Sequence, residues 1–335
     1  MQDYELSILE QYPINVKCTR KTRGAFFCDT DQGLFLLREA GVSRRHAILM
    51  RHVGVYLYQE GNMRTDLPVA NCDGELLSTS PEGRTYILKQ WFRGRECDVR
   101  KSRELLEGTA NLAHLHRFMG QVPPCPEPEE GGTPARPEGL EKEYERHNRE
   151  LKKIRRFMRG QSPKGEFELE FLRYFDRMFD WARCAEEESK RRDFGKIWEA
   201  SAENNTMIHG DYNYHNILVT AGGYATTNFD RCRAGIQMED LYYFLRKAME
   251  KHGWNVKSGD HMLDAYSAIR PLSDEEVEYL KIRLIYPEKF WKLADSYYCS
   301  NKAWVPAKNL EKLKTVVTQT EEKSRFLERL FSFSL

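Results

Sequence analysis

The chain has 335 residues, of which 40% are hydrophobic and 31% charged. That is enough for about two folding units at roughly 150 residues each, and too ordinary a balance for a disordered or collagen-like chain. Lys and Arg number 52 against 51 Asp and Glu, a net charge of +1, so no global field steers the chain toward nucleic acid and no nucleic-acid partner is expected. No stretch reaches the roughly 18 apolar residues of a membrane helix, so no membrane span is expected. Residues 1–12 carry Asp3, Glu5 and Glu10 and no apolar run, unlike a secretory signal, which predicts synthesis in the cytoplasm. The 8 cysteines are scattered, with no CxxC pair and no Cys/His cluster at zinc spacing, so reduced thiols are expected.

Ile14 to Cys18, Ala25 to Cys28 and Leu34 to Leu37 read as strands of an antiparallel meander, separated by Arg23-Gly24 and Asp31-Gln32-Gly33. Ser43 is placed to cap a helix whose apolar face runs through Ile48, Leu49, Val53 and Leu57 and which Gly61 closes. Turn signals at Cys72 to Glu75 and at Pro81-Glu82-Gly83 precede a strong strand, Tyr86 to Phe92. The period then lengthens: Leu105, Leu112, Leu115 and Met119 predict a helix from near Asp98. Residues 120–139 hold six prolines and four glycines, the composition of a linker without fixed structure. Leu140, Tyr144, His147, Leu151, Ile154 and Met158 advance in steps of three and four, and Leu172, Phe175, Phe179 and Ala182 continue the pattern after Pro163-Lys164-Gly165, which predicts a helical hairpin. Its first arm carries Lys142, Arg146, Arg149, Lys152, Lys153, Arg155, Arg156 and Arg159. A solvated face interleaved with glutamates is the first reading, an acidic partner the second. Leu241, Phe244, Leu245 and Ala248 share a further helical face, amphipathic stretches recur near 274–286 and 308–331, and Phe290-Trp291, Tyr297-Tyr298 and Trp304 read as core.

The stretch Met207 to Asp230, MIHGDYNYHNILVTAGGYATTNFD, carries the chemistry. Ile217-Leu218-Val219 and Tyr224 to Phe229 read as the strands of a hairpin centred on Gly222, which pairs residues whose numbers sum to 444 and sets Asn216 opposite Asn228. Asp211 enters five residues before Asn216. An aspartate able to accept a hydroxyl proton, an asparagine five positions on and a second oxygen ligand across a hairpin are what magnesium-assisted phosphoryl transfer requires. His215 reads as a packing residue or a phosphate neighbour, and Asp240 as a brace for its helix.

The spacing HGDxxxxN followed by NFD resembles the aminoglycoside phosphotransferase and choline kinase branch of the protein-kinase-like fold. That resemblance implies an α+β bilobal architecture: a small antiparallel-sheet lobe with one crossing helix over residues 1–92, and a mainly helical lobe over 93–335 containing the linker. It implies ATP and magnesium as cofactors, Asp211 as the base, Asn216 and Asn228 or Asp230 on the metal, Arg38 on the phosphates, and the hinge from Gln90 to Phe92 against adenine. YILKQWFRGRECD (86–98), HGDYNYHN (209–216), NFD (228–230) and IQMEDLYYFLRKAMEKHGW (236–254) together look like the CotS-type spore coat proteins over nearly the whole chain. Membership there implies other spore coat proteins as partners and deposition on the spore coat.

Four positions depart from the kinase pattern. Arg38 stands where a lysine is expected, and its planar fork is not interchangeable with an ammonium. The helix after it, residues 43–59, carries no acid, with only Glu39 and Glu60 flanking it. The turn Thr19-Arg20-Lys21-Thr22-Arg23-Gly24 has one glycine where a phosphate-cradling loop has several, though its cations offer a side-chain substitute. Asn228 replaces the metal-binding aspartate, and Asp230, two residues on along an expected strand, is the candidate replacement. Two readings follow: a weak or inactive kinase-like scaffold that binds nucleotide at most, and an active phosphotransferase on a small-molecule hydroxyl or a coat protein.

Overall fold

The computed structural model describes residues 7–22, 24–126, 138–300 and 307–334. The described chain forms two compact units. One draws on residues 1–134, 200–244 and 265–270, the other on residues 135–199, 245–264 and 271–335.

In the first unit, strands β1 (Val16–Thr22), β2 (Ala25–Thr30), β3 (Leu34–Glu39), β5 (Ser78–Thr79) and β6 (Thr85–Gln90) form an antiparallel sheet in the order β1-β2-β3-β6-β5. Its inward residues Cys28, Phe35, Leu37, Tyr86 and Leu88 pack with Ile8, Leu9 and Tyr12, an apolar face that fixes the register because a one-residue slip would turn every side chain over. β1 begins two residues later than expected and runs straight through Arg20-Lys21, which the sequence placed in a turn. Arg20 pairs with Phe27 and Lys21 with Phe26, and each cation lies over its partner's ring, at 5.1 and 5.6 Å. Arg20 and Lys21 of the expected phosphate turn are therefore built into the sheet; Arg23 lies outside the described residues.

Helix Arg44–Gly61 begins where Ser43 accepts the His46 N–H at 3.2 Å and ends at Asn62 in the left-handed region, φ 50°. Ala47, Met50, Val53 and Leu57 are buried; Ile48 and Leu49 are only half-buried. Gly54 allows the close approach of the segment after β4 (Arg64–Thr65): a Cβ there would stand 2.3 Å from Leu67 Cδ2. That segment delivers Asp66 into the interior, 2% exposed. The next helix, Ser102–Met119, starts four residues later than expected. The Glu104 carboxylate accepts the Asp98 N–H at 2.9 Å and both Arg95 terminal nitrogens at 2.7 Å, which holds the entering chain extended.

A second sheet runs β4-β10-β9-β7, with β7 at Gly94–Glu96, β9 at Ile217–Thr220 and β10 at Gly223–Thr226, while β8 (Met207–Ile208) pairs with β11 (Arg233–Ala234). Thr220 pairs with Gly223 and Ile217 with Thr226, so partner numbers sum to 443, one less than the sequence indicated. Extended ladder pairing thus sets Thr227, not Asn228, opposite Asn216, and the Thr227 N–H donates to the Asn216 carbonyl at 2.9 Å.

The second unit is helical. Leu140–Gly160 and Glu166–Lys190 form the expected hairpin, and Leu140, Tyr144, His147, Leu151, Ile154 and Met158 are all buried. Phe171 stacks on Phe290, Tyr144 on Tyr286 and His147 on Trp291 at 3.5 Å, so Phe290 of the aromatic cluster is core, while Trp291, Tyr297 and Tyr298 are only half-buried; Trp304 lies outside the described residues. On the basic face Arg146 pairs with Glu138 and Glu150, and Arg155 with Asp176. Residues 127–137 of the expected linker lie outside the described residues. Among those described, no helix is long and apolar enough to cross a membrane.

Candidate functional site

The loop after β8 is held by a buried carboxylate. Asp240, 1% exposed, accepts the His209 N–H at 2.7 Å and the Gly210 N–H at 2.9 Å, with His116 Nε2 at 3.3 Å. Burial alone raises its pKa, but the hydrogen bond and charge of His116, with the His209 backbone N–H, outweigh it and hold the carboxyl below its usual range. Gly210 turns the loop at φ +79°, and a Cβ there would lie 2.3 Å from the Arg231 carbonyl oxygen. His209 Nδ1 accepts the Asp211 N–H at 3.1 Å. Its proton therefore sits on Nε2, which donates to the Thr227 carbonyl at 2.9 Å. Tyr212, wholly buried, donates to the Gly108 carbonyl at 2.7 Å and pins the loop to the Ser102–Met119 helix.

These restraints present a half-buried Asp211. Its two carboxylate oxygens accept from Asn213 Nδ2 at 3.1 Å and Asn216 Nδ2 at 3.2 Å. Asn216 Oδ1 accepts from Asn228 Nδ2 at 2.6 Å. Asp211, Asn216 and Asn228 are thus brought together, although not by the expected strand register. Asn228 leaves β10 in the left-handed region, φ 65°, which Asn tolerates better than most residues, and that turn swings its side chain to Asn216. His215 is exposed and meets Glu96 at 2.6 Å.

Asp230 does not follow Asn228 along a strand, as the sequence indicated; Phe229–Arg231 is a single 3-10 turn. The turn aims Asp230 at two cations. Its Oδ1 accepts from Lys89 Nζ at 2.7 Å and its Oδ2 pairs with Arg38 Nη2. Lys89, 0% exposed, also reaches Asp66 Oδ2 at 3.0 Å, an oxygen that further accepts the Asn228 N–H at 2.8 Å. Burial lowers the pKa of Lys89 most strongly, the Asp66 charge opposes that, and Arg38 adds to it. The acid that the helix after β3 fails to supply to Arg38 comes instead from Asp230. Gln90 and Phe92 lie at the end of β6, where the Gln90 and Trp91 N–H groups donate to the Leu67 and Leu34 carbonyls, each at 2.8 Å, and Arg64 sits over the Phe92 ring.

Magnesium favours charged hard oxygens in a near-octahedral set. Asn216 and Asn228 supply no charge and bind each other, and both Asp230 oxygens face cations. Among the described residues no three His, Cys, Asp or Glu side chains gather as a metal-binding group. The donor set does not match the ion. Sequence reading missed Lys89 and Asp66; the one legible signal was a charged residue in the middle of the apolar run Tyr86-Ile87-Leu88-Lys89.

The fold has solved counterparts. The chain matches an aminoglycoside phosphotransferase from Alicyclobacillus acidocaldarius subsp. acidocaldarius DSM 446 with a TM-score of 0.84 at 16% identity, covering 98% of this chain and 95% of that one. It matches spectinomycin phosphotransferase in complex with ADP and spectinomycin with a TM-score of 0.66 at 12% identity, covering 96% and 98%. Amicoumacin kinase in complex with AMP-PNP, Ca2+ and Ami gives 0.60 at 12%, covering 96% and 94%. At these identities the likeness defines the fold, an α+β bilobal protein-kinase-like architecture. The family described as "Spore coat putative kinase YutH" matches residues 237–330, and spore coat protein S of Bacillus subtilis (strain 168) is 22% identical over 333 residues, 96% of this chain and 92% of that protein. The chain is thus similar to the CotS-type spore coat proteins and has a kinase-like fold.

Proposed function

We infer that the chain is a spore coat-associated kinase-like protein that serves coat assembly as a scaffold, deposited on the spore coat among other coat proteins. In this reading residues 1–92 are the sheet lobe and hinge, and residues 93–335 the helical lobe. The observation that carries it is Asp230: the carboxylate expected to stand in for an aspartate at position 228 is engaged by Lys89 and Arg38, and Arg38 is thereby drawn away from a phosphate role. Phosphoryl transfer depends almost wholly on positioning and on cations that neutralise phosphate charge, and this site has tied up both its metal carboxylate and its phosphate cation. ATP is at most a bound ligand, with Gln90 and Phe92 on its base.

A second reading, an active phosphotransferase, draws on Asp211, whose carboxylate is oriented by Asn213 and Asn216 as a hydroxyl-activating base would be. Calorimetric titration of ATP with and without magnesium, on the wild type and on Asp211→Ala, separates the two. The scaffold reading expects no magnesium-dependent gain in affinity and no ATP hydrolysis. Magnesium-dependent binding with hydrolysis that Asp211→Ala abolishes would establish the enzyme instead.

A further inference from the structure

Four charges meet in this site and sum to zero: Lys89 and Arg38 against Asp66 and Asp230. Lys89 Nζ stands 3.0 Å from Asp66 Oδ2 and 2.7 Å from Asp230 Oδ1, which sets those two oxygens at most 5.7 Å apart. A divalent ion spans roughly 4–5 Å between opposed oxygen ligands, so the ammonium fills a space of ionic size between two carboxylates. It is held there by those two oxygens. Lys89 comes from β6 opposite Leu36 of β3, its side chain is wholly shielded from solvent, and the Asp66 side chain is equally shielded. Asp66 Oδ1 has no hydrogen-bond partner, so this carboxylate meets its cation only through Oδ2.

We propose that Lys89 is the resident cation of this site, its ammonium joining Asp66 to Asp230 in place of a divalent metal ion, so that the folded chain takes up no metal there. The proposal rests on the reading of the site as one without turnover. A divalent ion added to the wild-type set would leave two positive charges uncompensated in a buried place, which is unfavourable. Removal of the Lys89 charge leaves a net charge of −1 on Arg38, Asp66 and Asp230, and a divalent ion is then attracted. Restoring a carboxylate at position 228 adds a ligand but does not remove the ammonium.

The test uses Mn2+ as the probe, without nucleotide, on the full chain, read by calorimetry and by thermal melting. Wild type and Asn228→Asp are expected to bind no Mn2+ at millimolar concentration. Lys89→Met is expected to bind it, with a melting temperature raised by about 2 °C or more near saturation, and Lys89→Met with Asn228→Asp to bind it at least about tenfold more tightly, as a third carboxylate joins the ligand set. Mn2+ uptake by the wild type that Asp230→Asn abolishes overturns the proposal, as does a folded Lys89→Met chain indifferent to Mn2+. Should Lys89→Met fail to fold with or without the ion, the wild type and Asn228→Asp decide: uptake by Asn228→Asp overturns the proposal and uptake by neither sustains it. ATP turnover would sink the scaffold reading separately, since a titration without nucleotide does not register it.

Discussion

His147 lies 3.5 Å from the Trp291 ring and 5.8 Å from that of Tyr286, and burial pushes its imidazole down to about 4, against a smaller upward pull from Glu288. In the unfolded chain the ring titrates near about 6.5. As pH falls from there to about 4, the unfolded state takes up a proton that the folded state does not, so the contribution present above the window is lost through it. Urea melts across that window should show stability falling with pH in the wild type and a flatter profile in His147→Phe, which keeps the stack. Gly210→Ala faces both φ +79° and a carbonyl oxygen 2.3 Å from the new Cβ. A loss of about 2 kcal/mol or more in urea melts is expected, and a loss under half that would mean the loop is free to move. At this scale legibility followed sequence distance. Asp211 and Asn216 sit within one motif and declared themselves, whereas Lys89 finds its partners 23 and 141 residues away, and no local pattern encodes such a meeting.

Helix periodicity carried the elements well because a buried face repeats along the chain. The six periodic residues from Leu140 to Met158 are all buried, and so are Leu241, Phe244, Leu245 and Ala248. The hairpin register was legible only to within one residue. Ala221-Gly222 forms the tip, the Thr220 hydroxyl donates to the Gly223 carbonyl at 2.7 Å, and Gly223 takes φ +104°; which glycine adopts that conformation decides the register, and Gly222 and Gly223 look alike in sequence. Asn228 meets Asn216 regardless, through its own backbone turn. Close packing between helices is equally silent. Gly259, in helix Val256–Ser267, would set a Cβ 2.2 Å from the Phe326 ring of helix Thr320–Phe331. Alanine gains about 1 kcal/mol of helix propensity, but forcing apart a wholly buried ring costs about 1–3 kcal/mol. Gly259→Ala is therefore expected to lower stability in chemical denaturation; a gain would show that the two helices separate easily.

For the whole molecule, the order of sheet, crossing helix, hinge strand and helices announced the architecture, since each step has its own period and turn chemistry. What fills the site was not announced, because it depends on which charges the folded chain brings face to face. With a net charge of +1 the molecule carries little global field, so coat association in the scaffold reading rests on shape and local contacts. Spores producing Asp211→Asn should then incorporate the protein and its neighbours at wild-type levels, read by quantitative coat extraction; an incomplete coat would show that the carboxylate is needed for more than its place in the loop. The balanced quartet around Asp230 also bears on descent. Removing one member of a buried pair strands its partner at about 3–5 kcal/mol, a large part of the 5–15 kcal/mol that holds a typical domain together, while exchanging both members together is close to neutral. A single substitution that removes one member of the quartet must therefore cross a valley of less stable sequences. In the scaffold reading the quartet works as a ratchet: with Lys89 seated between Asp66 and Asp230, keeping the fold opposes a return of metal chemistry.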